Sequence, residues 1–265
     1  MENSINFNTD WRRVASSIYR KPTDSKVFGS VELDVTELEH FVSEKRKKGT
    51  KITLTHIMVL TVARALKNDV PELNTFMRRG RVVHRDSIDA MVSVLQADGQ
   101  MGSIKVPDAD RLNLEQLAKI MAADIQQSRQ GNENKTMKRK DILSSIPWPF
   151  RRWFFWLYKT ITVHGGISIP FLGLSTNSFG SFVITNIGSI GLETGFPALL
   201  PSSNVAFVLV MGGISKKPVV INDEIVIRRI MSLSIVMDHR LVDASHGGKL
   251  FRYIKYMVKN PQELE

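Results

Sequence analysis

The sequence predicts a single mixed α/β domain, and three observations carry that prediction. Strand-like runs rich in Val and Ile are interspersed with segments that repeat apolar residues at helical spacing. No internal repeat or clear interdomain linker breaks the chain. At 265 residues, 43% hydrophobic and 23% charged, it is long enough to bury a large core.

The elements follow in order. Lys26 to Val35 alternates loosely, with Val27, Phe28, Val31 and Val35, and reads as a strand ending where Asp34, with Glu37 three residues on, resembles a capping box. Val35, Leu38, Phe41 and Val42 then share a helical face, and Gly49 follows a basic last turn. A second helix, apolar on most sides and so expected to be buried, runs from about Leu54 to Asp69 and stops before Val70-Pro71. Ser87 to Leu95 reads as a strand, and Asn113-Leu114-Glu115-Gln116 opens a helix continuing to about Ser128. Residues 129 to 140 are polar and basic, as in a loop. Further strands are expected over Ser181 to Ile187, Asn204 to Val210, Val219 to Arg228 and Met231 to Met237, with Gly, Pro and Asn-Asp turn signals among them. The chain closes with a helix in which Leu250, Phe251, Ile254, Met257 and Val258 share a face.

Lys and Arg number 36 against 26 Asp and Glu, a net charge of +10 that favours anionic partners such as phosphorylated cofactors or an acidic membrane face. Nucleic acid is not expected, because no recognition motif accompanies the charge. With no cysteine there is no disulfide, thiolate nucleophile or thiolate metal site, so any thiol chemistry must use a thiol on the substrate. The first residues lack a basic and then apolar leader, and no run of about 20 apolar residues occurs, so a cytoplasmic protein is expected.

One motif carries chemistry. The run Met231 to Met237 reads as a strand that delivers Asp238, His239 and Arg240 at its end, with Asp243 four residues after the histidine. A carboxylate one turn beyond an imidazole suits proton transfer near neutrality, although the same residues could form a structural charge cluster. No metal motif, phosphate loop or dinucleotide-binding glycine pattern appears. His56 lies in an apolar helix and reads as a core residue.

The stretch Leu233 to Ala244 resembles the Asp-His-Arg-x-x-Asp-Gly signature of the dihydrolipoamide acyltransferase core of 2-oxo acid dehydrogenase complexes, and is similar to the His-x-x-x-Asp-Gly site of chloramphenicol acetyltransferase. Phe182 to Gly188, Gly212 to Val220, Glu32 to Leu38 and Asp108 to Leu114 resemble further stretches of that family in the same order. The resemblance implies a chloramphenicol acetyltransferase-like two-layer sandwich of a mixed β-sheet with helices. It implies a homotrimer with sites between subunits, and coenzyme A or acyl-CoA as thioester substrate, without a metal. It implies His239 as general base toward a coenzyme A or dihydrolipoyl thiol and Thr185, at the family's serine position, as oxyanion donor. Asp243 is then an orienting residue paired with Arg12 or Arg13, and Asn186 is a supporting residue with an equally good reading as a turn-side residue.

The chain also departs from that pattern. Ala244 replaces a glycine, which would be costly if the backbone there needed positive φ. Ser103-Ile104-Lys105-Val106 stands where the family has Val-Pro-Val-Ile, and no lipoyl or subunit-binding module is expected before the core pattern. The stretch at about 131–180 reads as an insertion into the domain 1–265, aromatic and basic at once. Within 131–163 there are seven Lys and Arg against two acids, half the net charge of the chain. Three readings stand for it: a helix on an anionic membrane surface, a lid contributing Trp153, Phe154 and Trp156 to a path for a long acyl chain, or a packing arm between subunits. The expected function is a stand-alone acyltransferase, with a catalytically idle trimeric scaffold or lipid-binding protein of the same fold as the alternative.

Overall fold

The computed structural model describes residues 25–95, 101–129, 147, 150–168, 176–200 and 203–265. The loop expected over 129 to 140, and Arg12 and Arg13, lie outside them, apart from Arg129 at the end of a helix.

Strand β1 (Lys26–Asp34) leads into helices α1 (Thr36–Lys47) and α2 (Leu54–Asn68), followed by a small hairpin of β2 (Thr75–Arg78) and β3 (Arg81–His84). Next come β4 (Ala90–Leu95), β5 (Met101–Val106), α3 (Leu114–Arg129) and α4 (Phe150–Tyr158), the last running into a π-helical turn at Lys159–His164. Strands β6 (Phe182–Asn186), β7 (Phe207–Ile221) and β8 (Glu224–Asp238) and helix α5 (Ala244–Lys259) complete the order. Six strands form one mixed sheet ordered β1-β8-β7-β6-β4-β5, in which β6 runs parallel to both β4 and β7 and the other pairings are antiparallel.

The alternation of side chains along β7 explains the two layers. Phe207, Leu209 and Met211 join the main core with Leu60 and Leu66 of α2 and Leu250 and Ile254 of α5, while Val208 and Val210 face the other way and pack with Leu199, Val205 and Val236. Helices thus cover one face, and the segment between β6 and β7 covers part of the other. The closing helix buries Leu250, Phe251, Ile254, Met257 and Val258 as its spacing predicts.

Local chemistry corrects several boundaries. Asp34 does not cap α1: its Oδ1 accepts from the backbone N–H (3.0 Å) and hydroxyl (2.6 Å) of Thr36, and Val35 holds the cap position without a side-chain bond. Asn113 and Gln116 do exchange the reciprocal bonds of a capping box. The strand expected over Val219 to Arg228 is instead two strands and their turn, because Asn222 (φ 52°) and Asp223 (φ 65°) adopt left-handed conformations that join β7 to β8 in a two-residue hairpin. A register shift between Met211 and Ile214 bends β7 at its paired glycines. An added Cβ on Gly212 would overlap the Glu193 carbonyl, so only glycine fits there.

His56 is a core residue, 6% exposed, with Nδ1 accepting from the Thr53 backbone N–H at 3.1 Å. Burial, and then the charge of Arg46, push its pKa down from 6.5 to about 4. The unfolded chain therefore takes up this proton first as pH falls. The stabilisation is fully present above pH 6.5 and is lost between pH 6.5 and about 4, a loss of roughly 3 kcal/mol. Urea unfolding at pH 7 and pH 4 is expected to show a drop that is smaller by about that amount in His56→Leu; an equal drop in both proteins contradicts the assignment.

Candidate active site

The end of β8 is anchored on both sides. Asp238 donates its N–H to the Ala206 carbonyl (2.8 Å) and His239 donates to that of Ser25 (2.6 Å), so the chain leaves the sheet at a fixed place. The Asp238 carbonyl then accepts from the N–H groups of Leu241 (2.9 Å) and Val242 (3.1 Å), closing a turn around the histidine. Asp238 and Arg240 lock that turn from beneath. The guanidinium donates through Nε (2.9 Å) and Nη2 (2.6 Å) to the two carboxylate oxygens, and the side chains are 2% and 6% exposed. The sequence allowed these two residues to be a structural charge cluster, and they are one; His239 between them points elsewhere.

His239 Nδ1 lies 3.0 Å from the Val242 carbonyl oxygen and 3.4 Å from Asp243 Oδ1. Both neighbours are acceptors, so the Nδ1 position carries the proton and Nε2 becomes the basic nitrogen. The imidazole is partly exposed, at 29%.

Asp243 performs two tasks. It caps α5, accepting from the His246 backbone N–H, while its own N–H donates to His246 Nδ1 at 2.9 Å. A carboxylate at this helix N-terminus is favourable to the dipole. Its described contacts are to His239 and to the first turn of α5. Ala244 is the first helical residue and is not among the described positive-φ positions, so the alanine strains nothing there.

Thr185 and Asn186 stand elsewhere. Thr185 pairs with Val210, which pairs with Ser234, five residues before His239. At strand spacings, Thr185 is about 17 Å along the strands and about 10 Å across them from the histidine. One chain cannot bring both to a single carbonyl. Asn186 accepts from the Ser189 N–H (3.3 Å), capping the short helix Ile187–Ile190, and its Nδ2 donates to Thr55 Oγ1 at 3.4 Å. That is the turn-side role. Trp153, Phe154 and Trp156 are 61%, 40% and 56% exposed, while the described hydrogen bond and ion pair of His239 go to Val242 and Asp243. Among the described residues no group of three or more His, Asp or Glu could hold a metal ion.

The family model of the 2-oxoacid dehydrogenases acyltransferase (catalytic domain) matches residues 10–141 and 173–265. The chain belongs to that family. The residues passed over, 142–172, fall inside the aromatic and basic stretch.

This family member is 24% identical over 246 residues to the dihydrolipoyllysine-residue acetyltransferase component of the pyruvate dehydrogenase complex of Rickettsia prowazekii, covering 91% of this chain and 50% of the relative. The chain thus spans about half the length of the curated relatives it matches. The atomic structure of the cubic core of a pyruvate dehydrogenase multienzyme complex superposes with a TM-score of 0.66 at 17% identity, covering 96% of this chain and 88% of that one. Azotobacter vinelandii dihydrolipoamide acetyltransferase, solved to probe a serine, a histidine and an asparagine in its catalytic mechanism, gives 0.66 at 17%, covering 90% and 83%. Chloramphenicol acetyltransferase gives 0.50 at 14%, covering 97% and 100%. At these identities the structural likenesses establish the fold, the mixed sandwich that the sequence resemblance implied.

Proposed function

We propose that this protein transfers an acyl group between a thioester and a thiol, with His239 Nε2 as the general base. The observation that carries the reading is the fixing of His239 Nδ1 by two acceptors at the end of β8. Nε2 takes the proton of a coenzyme A or dihydrolipoyl thiol as its sulfur attacks the acyl carbonyl, and returns it to the departing thiolate. Support comes from the Azotobacter acetyltransferase, whose histidine and asparagine under study are four residues apart, like His239 and Asp243, with its serine 52 residues upstream of the histidine. Thr185 lies at the comparable place, 54 residues before His239.

In this reading Thr185 donates to the oxyanion from a neighbouring subunit, since its own His239 is out of reach. A cubic assembly necessarily contains threefold axes, so the relative's core accommodates the closed trimer that such sharing requires. Val220, Ile225 and Ile227, 69%, 77% and 73% exposed on the β7–β8 hairpin, offer apolar surface for that association. A cytoplasmic place of action suits a chain without cysteine. Ala244 begins α5 in a helical conformation that alanine adopts without strain, which supports the catalytic reading over an idle scaffold.

The test is to offer the purified protein acetyl-, butyryl-, octanoyl- and palmitoyl-CoA with dihydrolipoamide and follow acyl-dihydrolipoamide by mass spectrometry. Protein-dependent transfer from at least one donor is expected. No transfer from any of them by the folded oligomer contradicts the proposal.

A further inference from the structure

Helix α4 presents an apolar face that the other described residues leave exposed. At 100° per residue, Trp156, Trp153, Leu157, Phe150 and Phe154 fall within an arc of about 160°. Phe150, Trp153, Phe154 and Trp156 are 66%, 61%, 40% and 56% exposed, and Ile167 just beyond the helix is 48% exposed. Arg151 and Arg152 occupy the helix positions flanking that arc, one on each side. No described helix is long and apolar enough to cross a membrane. Its Trp and Phe side chains gathered on that arc instead give it the composition of a helix lying in a bilayer interface.

A second observation supplies the charge. The β2–β3 turn, Arg78-Arg79-Gly80-Arg81, has three exposed arginines, and it is bonded to the segment that follows α4. Arg79 donates its N–H to the His164 carbonyl (3.1 Å) and its Nε to that of Gly165 (3.2 Å), while the Arg78 side chain lies over Gly166. The guanidinium cluster is therefore held beside the aromatic helix. Charge and apolar surface together match a surface that is negative outside and hydrocarbon within. We propose that α4 and the Arg78–Arg81 turn dock this protein on an anionic phospholipid bilayer.

Further hydrogen bonds place the β2–β3 turn at the His239 end of the sheet. Met77 of β2 exchanges bonds with the Asn204 side chain (3.3 and 3.0 Å), and Ala206, two residues on, accepts from Asp238. An acyl donor whose chain partitions into the bilayer would meet the protein on that side.

The experiment is co-sedimentation of the full chain with vesicles of 70:30 phosphatidylcholine and phosphatidylglycerol, and with phosphatidylcholine alone, in low and high salt. Binding is expected to the anionic vesicles, with a shift of tryptophan emission to shorter wavelength, and to weaken sharply as the Debye length shrinks from about 10 Å at 0.1 M to about 3 Å at 1 M. At about fivefold per basic side chain, Arg79→Glu/Arg81→Glu lowers affinity about 25-fold or more, and Trp153→Ser/Trp156→Ser at least about tenfold, with the oligomer mass unchanged by light scattering. Three results overturn the proposal. The first is no binding by the intact chain, and the second is variants that bind like the parent. The third is a tryptophan variant that falls apart into monomers, or changes acyl-chain preference while still binding vesicles, since the aromatic face then belongs to subunit packing or to the acyl path.

Discussion

His239→Ala is expected to lower acyl transfer to a thiol by about 10²–10⁴ while leaving the fold intact, the size of effect that a positioned general base contributes. The fold survives because the turn is built from groups other than the ring. Asp238 and Arg240 keep their bidentate pair, and the backbone bonds from Leu241 and Val242 to Asp238 do not depend on residue 239. The affected quantity is kcat/KM for the thiol, with circular dichroism and oligomer mass unchanged. His239→Gln, which keeps volume and hydrogen bonding without the base, is expected to be as inactive as the alanine variant. Turnover within threefold of wild type in either one contradicts the base assignment.

Thr185→Val is expected to cost about 10²–10³ in kcat, the loss found for a single oxyanion donor, about 2.7–4 kcal/mol. Valine keeps the β-branched shape and suits the strand, so the sheet pairing of Thr185 with Val210 is retained. KM is expected to change little, because the missing bond matters when charge develops on the carbonyl oxygen. Thr185→Ser, which returns the hydroxyl of the family's usual residue, retains activity. A valine variant as active as wild type removes Thr185 from the mechanism.

What the sequence made legible is what is encoded locally. The strand at Lys26–Asp34, the buried helix at Leu54–Asn68, the Asn113 cap and the apolar stripe of α5 depend on neighbours one to four residues away, and their spacing displays them. The β2–β3 hairpin carries a weak sequence signal because its turn places Arg79, at φ 49°, where Gly or Asn is usual. In sequence, hairpin β7–β8 looks like shorter pieces because Gly212, Gly213 and Pro218 resemble breaks, yet a bulge and continued pairing carry the strand through them.

The same division runs through the site. His239 and Asp243 are visible as a four-residue spacing on a strand end, and their 3.4 Å approach follows from it. The Val242 carbonyl as the closer acceptor for Nδ1 is a backbone contact that no residue identity announces. Asp243 as a helix cap, and Ala244 as the helical residue after it, emerge only once α5 is seen to begin there. The cluster that joins Arg85 to Asn177 (2.7 Å) and Asp89 to Lys105 (2.9 Å) behind β4 links residues up to 92 apart in sequence, beyond the reach of any periodicity.

The central claim is a base from one chain and an oxyanion donor from another, and mixing two inactive variants tests it most directly. His239→Ala and Thr185→Val chains, co-expressed with different tags in equal amounts, form mixed trimers in which one of the three interfaces joins an intact His239 to an intact Thr185. Random assembly makes about three quarters of the trimers mixed, so about a quarter of wild-type activity is expected to return, residing in the doubly tagged fraction. Doubly tagged oligomers as inactive as either parent contradict the shared site and, with it, the paired roles of His239 and Thr185.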